Sequence, residues 1–583
     1  MTDSEKTSIM IVCEVASPGV ARGQAFVCGC VGHNSVPRQV IDGHDPQKEI
    51  DRFDAAVPIV ERDLLKLQQV VLREIGKQES RILDVQIALL HDPSLREEIR
   101  TRCLIERVNV EAAVDEAVAK LVSSFVRIED PYFHERAADL RDLGKRILDA
   151  LVTSHFANVP NIPDESIIVT TELLPSVMAQ LSTRKIRGLV AETGGQTAHA
   201  TILARAHGIP FLLNVPDATS RIRQGDELIV DGLAGRVFVN PSPEVAREYD
   251  QLGKDLRAHQ TALESLIHVP AVTLDGIPIQ LCANIGKSAD SVTAAKLNAD
   301  GVGLYRTEFV FLVQDHFPSE EEQYQMYRGA AARLEPREVV IRVLDIGSDK
   351  VLPYFPLPHE SNPSLGRRGT RLLLAHPEIL RSQLRAILRL SATHPVSILF
   401  PMVGDIEDMR AAKTAVANAK ESLSAESQSF NPDILIGAMI ETPAAAIMIN
   451  RLVSEVDFLS IGTNDLVQYL LTTDRMSSAM SPYYEPLHPA VLEVLSLLAS
   501  AAVAAGKSIS ICGEMAGNPA YTALLLGLGF RKLSVSPAEI LEIKNAIRST
   551  NVQHAEEWAR FVLQLDTVEQ IKKCLYEAKT KAN

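Results

Sequence analysis

Residues 435–443 read Leu-Ile-Gly-Ala-Met-Ile-Glu-Thr-Pro, a short apolar run that ends in a carboxylate, a hydroxyl and a proline. A run of this length, bounded by polar residues and proline, is typical of a buried parallel strand. Similar runs recur after Pro270, separated by helical patterns. The eight predicted strands are 279–286, 301–306, 339–345, 396–403, 435–440, 458–462, 508–512 and 532–536. Eight β/α units over about 310 residues predict a (β/α)8 TIM barrel.

The predicted strands end in polar residues, which would meet at one mouth of the barrel. Active sites of TIM barrels lie at the carboxyl ends of the strands. The candidate residues are Arg306, Arg342, Glu441, Asn464, Asp465, Cys512 and, ten residues after Asp465, Arg475. A single arginine after a strand is more often part of a surface ion pair. Five polar strand ends that converge on one mouth favour a binding site.

The chemistry of these side chains predicts an anionic ligand. Arg306 and Arg342 carry planar guanidinium groups that suit phosphate or carboxylate oxygens, and Arg475 could bind a further anion. Glu441 and Asp465 supply hard oxygen ligands in the small number that Mg²⁺ takes from a protein. The thiol of the candidate cysteine could donate or remove a proton. These residue types predict a small phosphorylated acid bound through Mg²⁺.

The first half of the chain predicts a discontinuous α/β domain. Its strand patterns lie at 9–32, 166–170, 188–191 and 227–231. A helical pattern from about residue 46 to about residue 155 separates the first strands from the others and predicts an inserted bundle. Pro58 is expected to interrupt the first helix of that bundle. The predicted domains are 1–33 with 156–242 (α/β), 34–155 (helical insertion), 243–268 (linker helix) and 269–583 (barrel).

A second group of candidate residues follows the predicted strand at 188–191. Residues 194–199 read Gly-Gly-Gln-Thr-Ala-His, and a helical pattern continues to Arg205. The glycines permit a tight turn, so His199 would lie at the start of a helix, where an anion is stabilised and the imidazolium form is disfavoured. A neutral imidazole there is a good nucleophile. His199 is therefore a candidate phosphoryl acceptor, although an isolated histidine is more often structural.

Composition argues against several other classes of protein. The 59 basic and 74 acidic residues give a net charge of −15, which leaves no positive surplus to neutralise nucleic-acid phosphates. The chain has no apolar run long enough to cross a bilayer, and Met-Thr-Asp-Ser-Glu-Lys at its start lacks the apolar core of a secretory signal. The seven cysteines are scattered and odd in number. We therefore expect reduced thiols and a cytoplasmic protein.

Together these motifs resemble the enzymes that use phosphoenolpyruvate through a phosphohistidine, and most closely the Enzyme I family of the bacterial phosphotransferase system. The motifs that carry the resemblance are Gly194-Gly-x-Thr-x-His199, Gly301-Val-Gly-Leu-Tyr-Arg-Thr-Glu-Phe309, Glu441-Thr-Pro-Ala-Ala-Ala446, Ser460-Ile-Gly-Thr-Asn-Asp465 and Cys512-Gly-Glu514. The resemblance spans nearly the whole chain. It implies a swivelling phosphohistidine domain with a helical insertion, a linker and a barrel that forms a homodimer.

The resemblance also implies a reaction, in which phosphoenolpyruvate and a protein histidine give pyruvate and phosphohistidine. The implied roles are His199 as phosphoryl acceptor, Arg306 and Arg342 as ligands of the phosphoryl group, Glu441 and Asp465 as Mg²⁺ ligands, Asn464 and Arg475 as ligands of the substrate phosphate and carboxylate, and Cys512 as proton donor to the enolate carbon. Arg368 matches a further arginine of the family. The helical insertion would dock the basic phosphocarrier protein HPr or a paralogue.

Two other functions are alternatives to this one. Phosphoenolpyruvate synthase and pyruvate phosphate dikinase share both groups of residues but need a nucleotide-binding domain, for which residues 1–155 leave no room. A non-catalytic regulatory relative would lack a principal catalytic residue, and none is missing. One departure from the family concerns residues 172–178, Glu-Leu-Leu-Pro-Ser-Val-Met, which end in Met178 where a threonine is usual. The physiological phosphocarrier, and whether the pathway transports sugar or only regulates, stay open.

The separation of the two groups of residues predicts motion. His199 and the barrel mouth lie in different predicted domains, whereas phosphoryl transfer needs the reacting atoms about 3–3.5 Å apart. The same imidazole must later meet a histidine of a partner protein. We therefore expect at least two domain orientations, with hinges near Asn240-Pro241 and Val269-Pro270.

Overall fold

The computed structural model divides the chain into two compact units, Met1–His259 and Gln260–Asn583. This division into two units does not test the limits of the four predicted domains, which stay predictions. The residues that the structure describes are 9–28, 38, 41, 45–74, 86–87, 89–126, 140–141, 143–144, 146–148, 150–151, 163–172, 186–194, 201, 204–205, 208–312, 314, 316–348, 352, 354–358, 360–475, 477 and 479–582.

A sheet of eight strands organises the described part of the first unit. Its strands are β1 Ile9–Val12, β2 Glu14–Ser17, β3 Val20–Cys28, β4 Ile167–Glu172, β5 Gly188–Thr193, β6 Phe211–Leu213, β7 Glu227–Asp231 and β8 Arg236–Val239. Their order is β1-β8-β7-β3-β4-β5-β6-β2, and β3 to β6 are parallel. Ala25 in β3 lies beside Ile167 in β4. The segments before and after the helical residues therefore form a single sheet.

Apolar residues cover both faces of this sheet. Ile167 and Val169 pack on one face with Leu228, whereas Ile168 packs on the other with Phe211. Successive side chains of a strand point to opposite faces, so a continuous apolar run suits a strand that is buried on both sides. A short helix, Ala218–Arg221, precedes β7.

The helical part of the first unit has its own core. Its described helices include Pro46–Glu74, Pro93–Leu104 and Val110–Val126, and their buried face contains residues such as Phe53 and Leu64. The expectation that Pro58 interrupts the first helix is wrong, because the helix continues past it to Glu74. Proline removes the hydrogen bond to the carbonyl of the residue four positions earlier. That residue and Pro58 are both exposed, so water can satisfy the carbonyl.

Helix Pro243–Glu264 occupies most of the predicted linker. Its residue Tyr249 donates a hydrogen bond from Oη to Oδ2 of Asp231, at 2.6 Å, and its ring lies against Phe238 with the centroids 5.2 Å apart. These contacts attach the first half of the helix to the sheet of the first unit. Among the helices that the structure describes, none combines the length and the apolar character needed to cross a bilayer.

The second unit contains a closed barrel of eight parallel strands, and this confirms the predicted fold. The strands are β9 Gln280–Ile285, β10 Val302–Arg306, β11 Val339–Arg342, β12 Val396–Phe400, β13 Ile436–Ile440, β14 Phe458–Ile461, β15 Ser508–Ile511 and β16 Lys532–Val535. They pair in chain order, and β16 pairs with β9 to close the barrel. Each strand lies within one of the eight apolar runs.

Helices cover the outside of the barrel and begin or end at its two rims. They are Ser288–Lys296, Glu308–Leu312, Glu320–Ala331, Gly369–Ala375, Pro377–Ser391, Ile406–Ala425, Pro443–Ile447, Ile449–Leu452, Thr463–Leu470, Pro489–Ala504, Thr522–Gly527, Ile540–Arg548, Val552–Val562 and Val568–Ala582. Several carry an N-cap that the sequence provides, such as Ser319, whose side chain accepts a hydrogen bond from the backbone of Glu322.

Side chains fill the interior of the barrel. A buried cluster there consists of Leu304, Val340, Leu399, Met439, Phe458 and Cys512. Gly303 in β10 is needed for close packing, because a Cβ at this position would lie 2.5 Å from Oγ of Ser534. This packed interior fixes the strands, and the strands in turn fix the residues at the mouth.

Candidate active site

A cavity of about 500 Å³ opens at the carboxyl ends of the barrel strands. Of the eight residues predicted for the site, those that line it are Arg306, Arg342, Glu441, Asn464, Asp465, Arg475 and Cys512. The eighth, His199, lies outside the residues that the structure describes, as does Met178. The cavity is also lined by residues that were not among the eight predicted ones, including Glu308, Asp345, Arg368, Tyr484 and Glu514.

Two arginines of the cavity are held in a buried network of alternating charge. Oε1 of Glu308 accepts hydrogen bonds from Nη2 of Arg342, at 2.6 Å, and from the backbone nitrogen of Asp345, at 3.1 Å. The carboxylate of Asp345 accepts from Nε and Nη2 of Arg368, at 3.1 and 2.8 Å. Nη1 of Arg342 lies 3.4 Å from the same carboxylate. Each charge thus lies next to its opposite, which compensates for burial.

The network keeps these guanidinium groups charged. Burial alone would lower the pKa of Arg342, but Glu308, Asp345 and Glu441 outweigh burial and raise it. For Arg368 the same balance applies, with Asp345 as the main compensating group. Both arginines therefore present permanent positive charge in fixed positions at the mouth.

Arg306 differs from these two arginines. It ends β10, is exposed, and among the described residues no hydrogen bond or ion pair holds its guanidinium group. An anion could therefore bind Arg306 without displacing a carboxylate. Arg475 is also exposed, and its Nη2 lies 3.7 Å from Oδ1 of Asp465.

The two carboxylates at the centre of the cavity lack full compensation. Glu441 follows β13 and is 1% exposed, and its Oε1 accepts a hydrogen bond of 2.6 Å from the backbone nitrogen of Met402. Burial raises the pKa of Glu441, and the nearby carboxylates of Asp465 and Asp345 raise it further. Oδ1 of Asp465 is buried and has no hydrogen-bond partner among the described residues. A cation between the two carboxylates would relieve both deficits.

Asn464 and Glu514 are joined by a reciprocal pair of hydrogen bonds. Nδ2 of Asn464 donates to Oε1 of Glu514, and Oδ1 of Asn464 accepts from the backbone nitrogen of Glu514, each at 2.8 Å. Tyr484 donates from Oη to the backbone carbonyl of Asn464 at 3.2 Å. These contacts hold the first turn of helix Thr463–Leu470, which carries Asp465, against the turn after β15.

Cys512 lies directly after β15 with its thiol at the inner wall of the cavity. Its Sγ donates to the carbonyl oxygen of Ile461 at 3.2 Å and accepts a hydrogen bond of 3.3 Å from Oγ of Ser460. Burial, with a smaller contribution from Glu441, raises the pKa of Cys512 to about 11. The thiol therefore keeps its proton at neutral pH and suits the role of an acid.

The predicted turn before His199 begins within the described residues. β5 ends at Thr193, and Gly194 follows with a φ of +156°. A Cβ on Gly194 would lie 2.6 Å from Cδ2 of Leu213, so this position needs glycine.

Sequence reasoning missed the structural roles of Glu308 and Asp345. Glu308 follows the predicted strand 301–306, and Asp345 is the last residue of the predicted strand 339–345. In each case an acidic residue lies two or three positions after a candidate arginine, and this spacing could have indicated the ion pairs. The hydrogen bonds between them depend on how neighbouring strands align, which a single sequence does not specify.

Comparison with known proteins adds family evidence to this geometry. Three models of phosphoenolpyruvate-utilising enzymes match the chain, the N-terminal domain over residues 14–136, the mobile domain over 162–235 and the phosphoenolpyruvate-binding domain over 260–552. A phosphoenolpyruvate-protein phosphotransferase of Bacillus sp. (strain S) is 37% identical over 95% of this chain and 96% of its own length. Those of Bacillus subtilis and Haemophilus influenzae are 38% and 36% identical, over 90% and 97% of this chain and 92% and 98% of their own lengths. With three domain models matched in order and relatives aligned almost end to end, the chain belongs to the phosphoenolpyruvate-protein phosphotransferase family of phosphoenolpyruvate-utilising enzymes.

Proposed function

We propose that this protein transfers the phosphoryl group of phosphoenolpyruvate to His199 and from there to a histidine of the phosphocarrier protein HPr or a paralogue, with release of pyruvate. The observation that carries the proposal is the barrel cavity, in which cationic, acidic and thiol side chains suited to this chemistry line one space of about 500 Å³. The names of the relatives support the same reaction.

Arginine and asparagine side chains would bind the anionic groups of the substrate. Arg306 and Arg342 would hold the phosphoryl group, whose oxygens carry negative charge throughout the transfer. Asn464 and Arg475 would bind the phosphate and the carboxylate. Arg342 is fixed by Glu308 at 2.6 Å, so its geometry is set before the substrate arrives. Such pre-organisation favours the transition state because no side chain has to be reordered during the reaction.

Glu441 and Asp465 would hold Mg²⁺. Among the described residues no group of three or more histidine, cysteine or acidic side chains is arranged as a metal site. Two carboxylates suit Mg²⁺, which commonly takes one or two from the protein and completes its shell with water and substrate oxygens. The buried Oδ1 of Asp465, which lacks a hydrogen-bond partner among those residues, fits a cation ligand. When bound, the ion would offset negative charge on the substrate oxygens.

The phosphorus–oxygen bond of phosphoenolpyruvate breaks and its electron pair stays on the enolate oxygen, while a phosphorus–nitrogen bond forms to the imidazole of His199. The enolate carbon then takes the proton of the Cys512 thiol, which gives pyruvate and a thiolate. The pKa of about 11 keeps that proton available at neutral pH.

The helical insertion is the proposed docking site for the phosphocarrier, and the net charge of −15 suits a basic partner. A homodimer formed through the barrel unit, in the cytoplasm, belongs to the same proposal. Sedimentation of the purified protein at several concentrations tests the dimer.

The central test is labelling with radioactive phosphoenolpyruvate and Mg²⁺. The wild type should acquire an acid-labile, base-stable label, as a phosphoramidate does, and pass it to the host's HPr. His199→Ala should acquire none, whereas the control His554→Ala, at an exposed position of helix Val552–Val562, should be labelled normally. Normal labelling of His199→Ala would overturn the assignment of the acceptor.

A further inference from the structure

Two serine hydroxyls lie beneath the thiol of Cys512 inside the barrel. Ser460 in β14 is fully buried, and Ser510, its partner residue in β15, is 4% exposed. Oγ of Ser460 is 3.3 Å from Sγ of Cys512 and 3.2 Å from Oγ of Ser510. Interior positions of TIM-barrel strands are mostly occupied by branched apolar residues. A row of hydroxyls that leads to a thiol is therefore not explained by packing alone.

The hydrogen bonds around the thiol define a direction. The thiol donates its own proton to the carbonyl of Ile461 at 3.2 Å, so the sulfur meets Ser460 as an acceptor. Ser460 has one hydroxyl proton and uses it for the sulfur. Its oxygen can then accept from Ser510, whose alternative acceptor is the carbonyl of Leu459 at 3.4 Å. The arrangement runs from Ser510 through Ser460 to Cys512.

We propose that Ser460 is a positioning residue for proton transfer between Cys512 and the enolate carbon, and that its hydroxyl stabilises the thiolate left behind. This inference rests on the proposed function. When the proton leaves, negative charge develops on the sulfur of a residue that is only 2% exposed, so little water can hydrate the thiolate. The hydrogen bond from Ser460 strengthens as that charge develops, so it favours the transition state over the ground state.

The charged groups around the thiol act together with Ser460. Arg306 and Arg342 favour the thiolate, whereas Glu441 opposes it. These groups stay in place when Ser460 is replaced, so the variant isolates the contribution of the hydroxyl. The variant loses a charge-assisted hydrogen bond in the transition state but only a weaker, neutral hydrogen bond in the ground state. The difference between these two losses corresponds to a rate loss of roughly tenfold.

The test separates carbon protonation from phosphoryl transfer. The exchange of the pyruvate methyl protons for deuterium, monitored by proton NMR in D₂O that contains Mg²⁺, reports the Cys512 step in reverse. Labelling of the enzyme by radioactive phosphoenolpyruvate reports the other step. Ser460→Ala should exchange roughly tenfold more slowly than the wild type and be labelled at nearly the wild-type rate. Ser510→Ala keeps the Ser460 hydroxyl as the direct donor to the sulfur, so its exchange rate should fall less than that of Ser460→Ala. Cys512→Ala should not catalyse the exchange.

The outcomes distinguish the two proposals. Wild-type exchange in a Ser460→Ala protein that is labelled normally overturns the inference, and so does an equal loss of exchange and labelling, which would indicate a structural role. If Ser460→Ala does not fold, Ser460→Cys replaces it, because cysteine keeps a weak donor and a similar volume. Ser460→Cys should show an intermediate loss of the exchange rate. A wild-type exchange rate in that variant also overturns the inference. If the wild type is never labelled, the proposed function fails and the inference fails with it.

Discussion

Replacing Asp345 by asparagine should destabilise the barrel much more than its size suggests. The carboxylate is 1% exposed and accepts two hydrogen bonds from Arg368, while Arg342 lies 3.4 Å away. Asp345→Asn keeps the shape but leaves two buried guanidinium groups with one negative charge fewer between them. Breaking a buried ion pair by removing one partner costs about 3–5 kcal/mol of unfolding free energy. Arg342 keeps Glu308 at 2.6 Å, which favours the lower end of that range.

The assay is thermal unfolding of the purified chain with and without phosphoenolpyruvate and Mg²⁺. A loss of about 3 kcal/mol lowers the unfolding midpoint of a unit of this size by roughly 4–5 °C. Addition of the anionic ligand should raise the midpoint more in the variant than in the wild type. In the variant the ligand also compensates the positive charge of the two arginines that Asp345 no longer balances. Glu455→Gln is the matched control, since Glu455 also pairs with two cations, Arg410 and Lys413, but near the surface. It should unfold at the wild-type midpoint. If Asp345→Asn behaves like Glu455→Gln, the buried network does not carry the charge balance described above.

Further predictions concern the thiol, the carboxylates and the linker helix. Alkylation of Cys512 by iodoacetamide should be slow at pH 7, and its rate should rise only as the pH approaches about 11, because burial raises the pKa of the thiol. Rapid alkylation of Cys512 at pH 8 would contradict this prediction. Asp465→Asn and Glu441→Gln should each abolish binding of Mn²⁺, a spectroscopic substitute for Mg²⁺. Electron paramagnetic resonance measures this binding, and retained Mn²⁺ binding by both variants would exclude the metal site. Tyr249→Phe should lower the unfolding free energy of the first unit by about 1 kcal/mol, since Asp231 loses a hydrogen bond of 2.6 Å, and denaturant titration measures the change.

The barrel and its mouth could be predicted from the sequence because each strand is a short apolar run that ends in polar residues. This pattern depends only on neighbouring residues and on burial of both faces. The short strand β6, Phe211–Leu213, could not be predicted, since three apolar residues do not distinguish a strand from a loop. The bond between Glu308 and Arg342 could not be predicted either, because it joins residues 34 positions apart whose approach depends on the register of β10 and β11.

The hinge positions illustrate a different limit of sequence reasoning. Proline marks a chain segment that cannot continue a helix, and this made Val269-Pro270 a reasonable hinge. In the structure the same segment is bound to the barrel. Nζ of Lys544 donates to the carbonyls of Leu266 and Ile267, at 3.2 and 3.0 Å, and Nη1 of Arg548 donates to the carbonyl of Pro270 at 3.0 Å. A rotation about Val269-Pro270 would therefore have to break these bonds.

The other end of helix Pro243–Glu264 is attached as well, through Tyr249 to Asp231 and through Asp250 to Arg22. The helix residues that follow these anchors, 251–264, are mostly exposed, and such exposed segments are the ones that deform at low free-energy cost. Gly253 lies in this stretch, where a Cβ would meet only the tip of Arg257, at 3.9 Å, so close packing does not require glycine there. A glycine in a helix interior is less stable than alanine by about 1 kcal/mol. Because both ends of the helix are anchored and Gly253 weakens the stretch between them, we expect reorientation of the two units to bend the helix near Gly253.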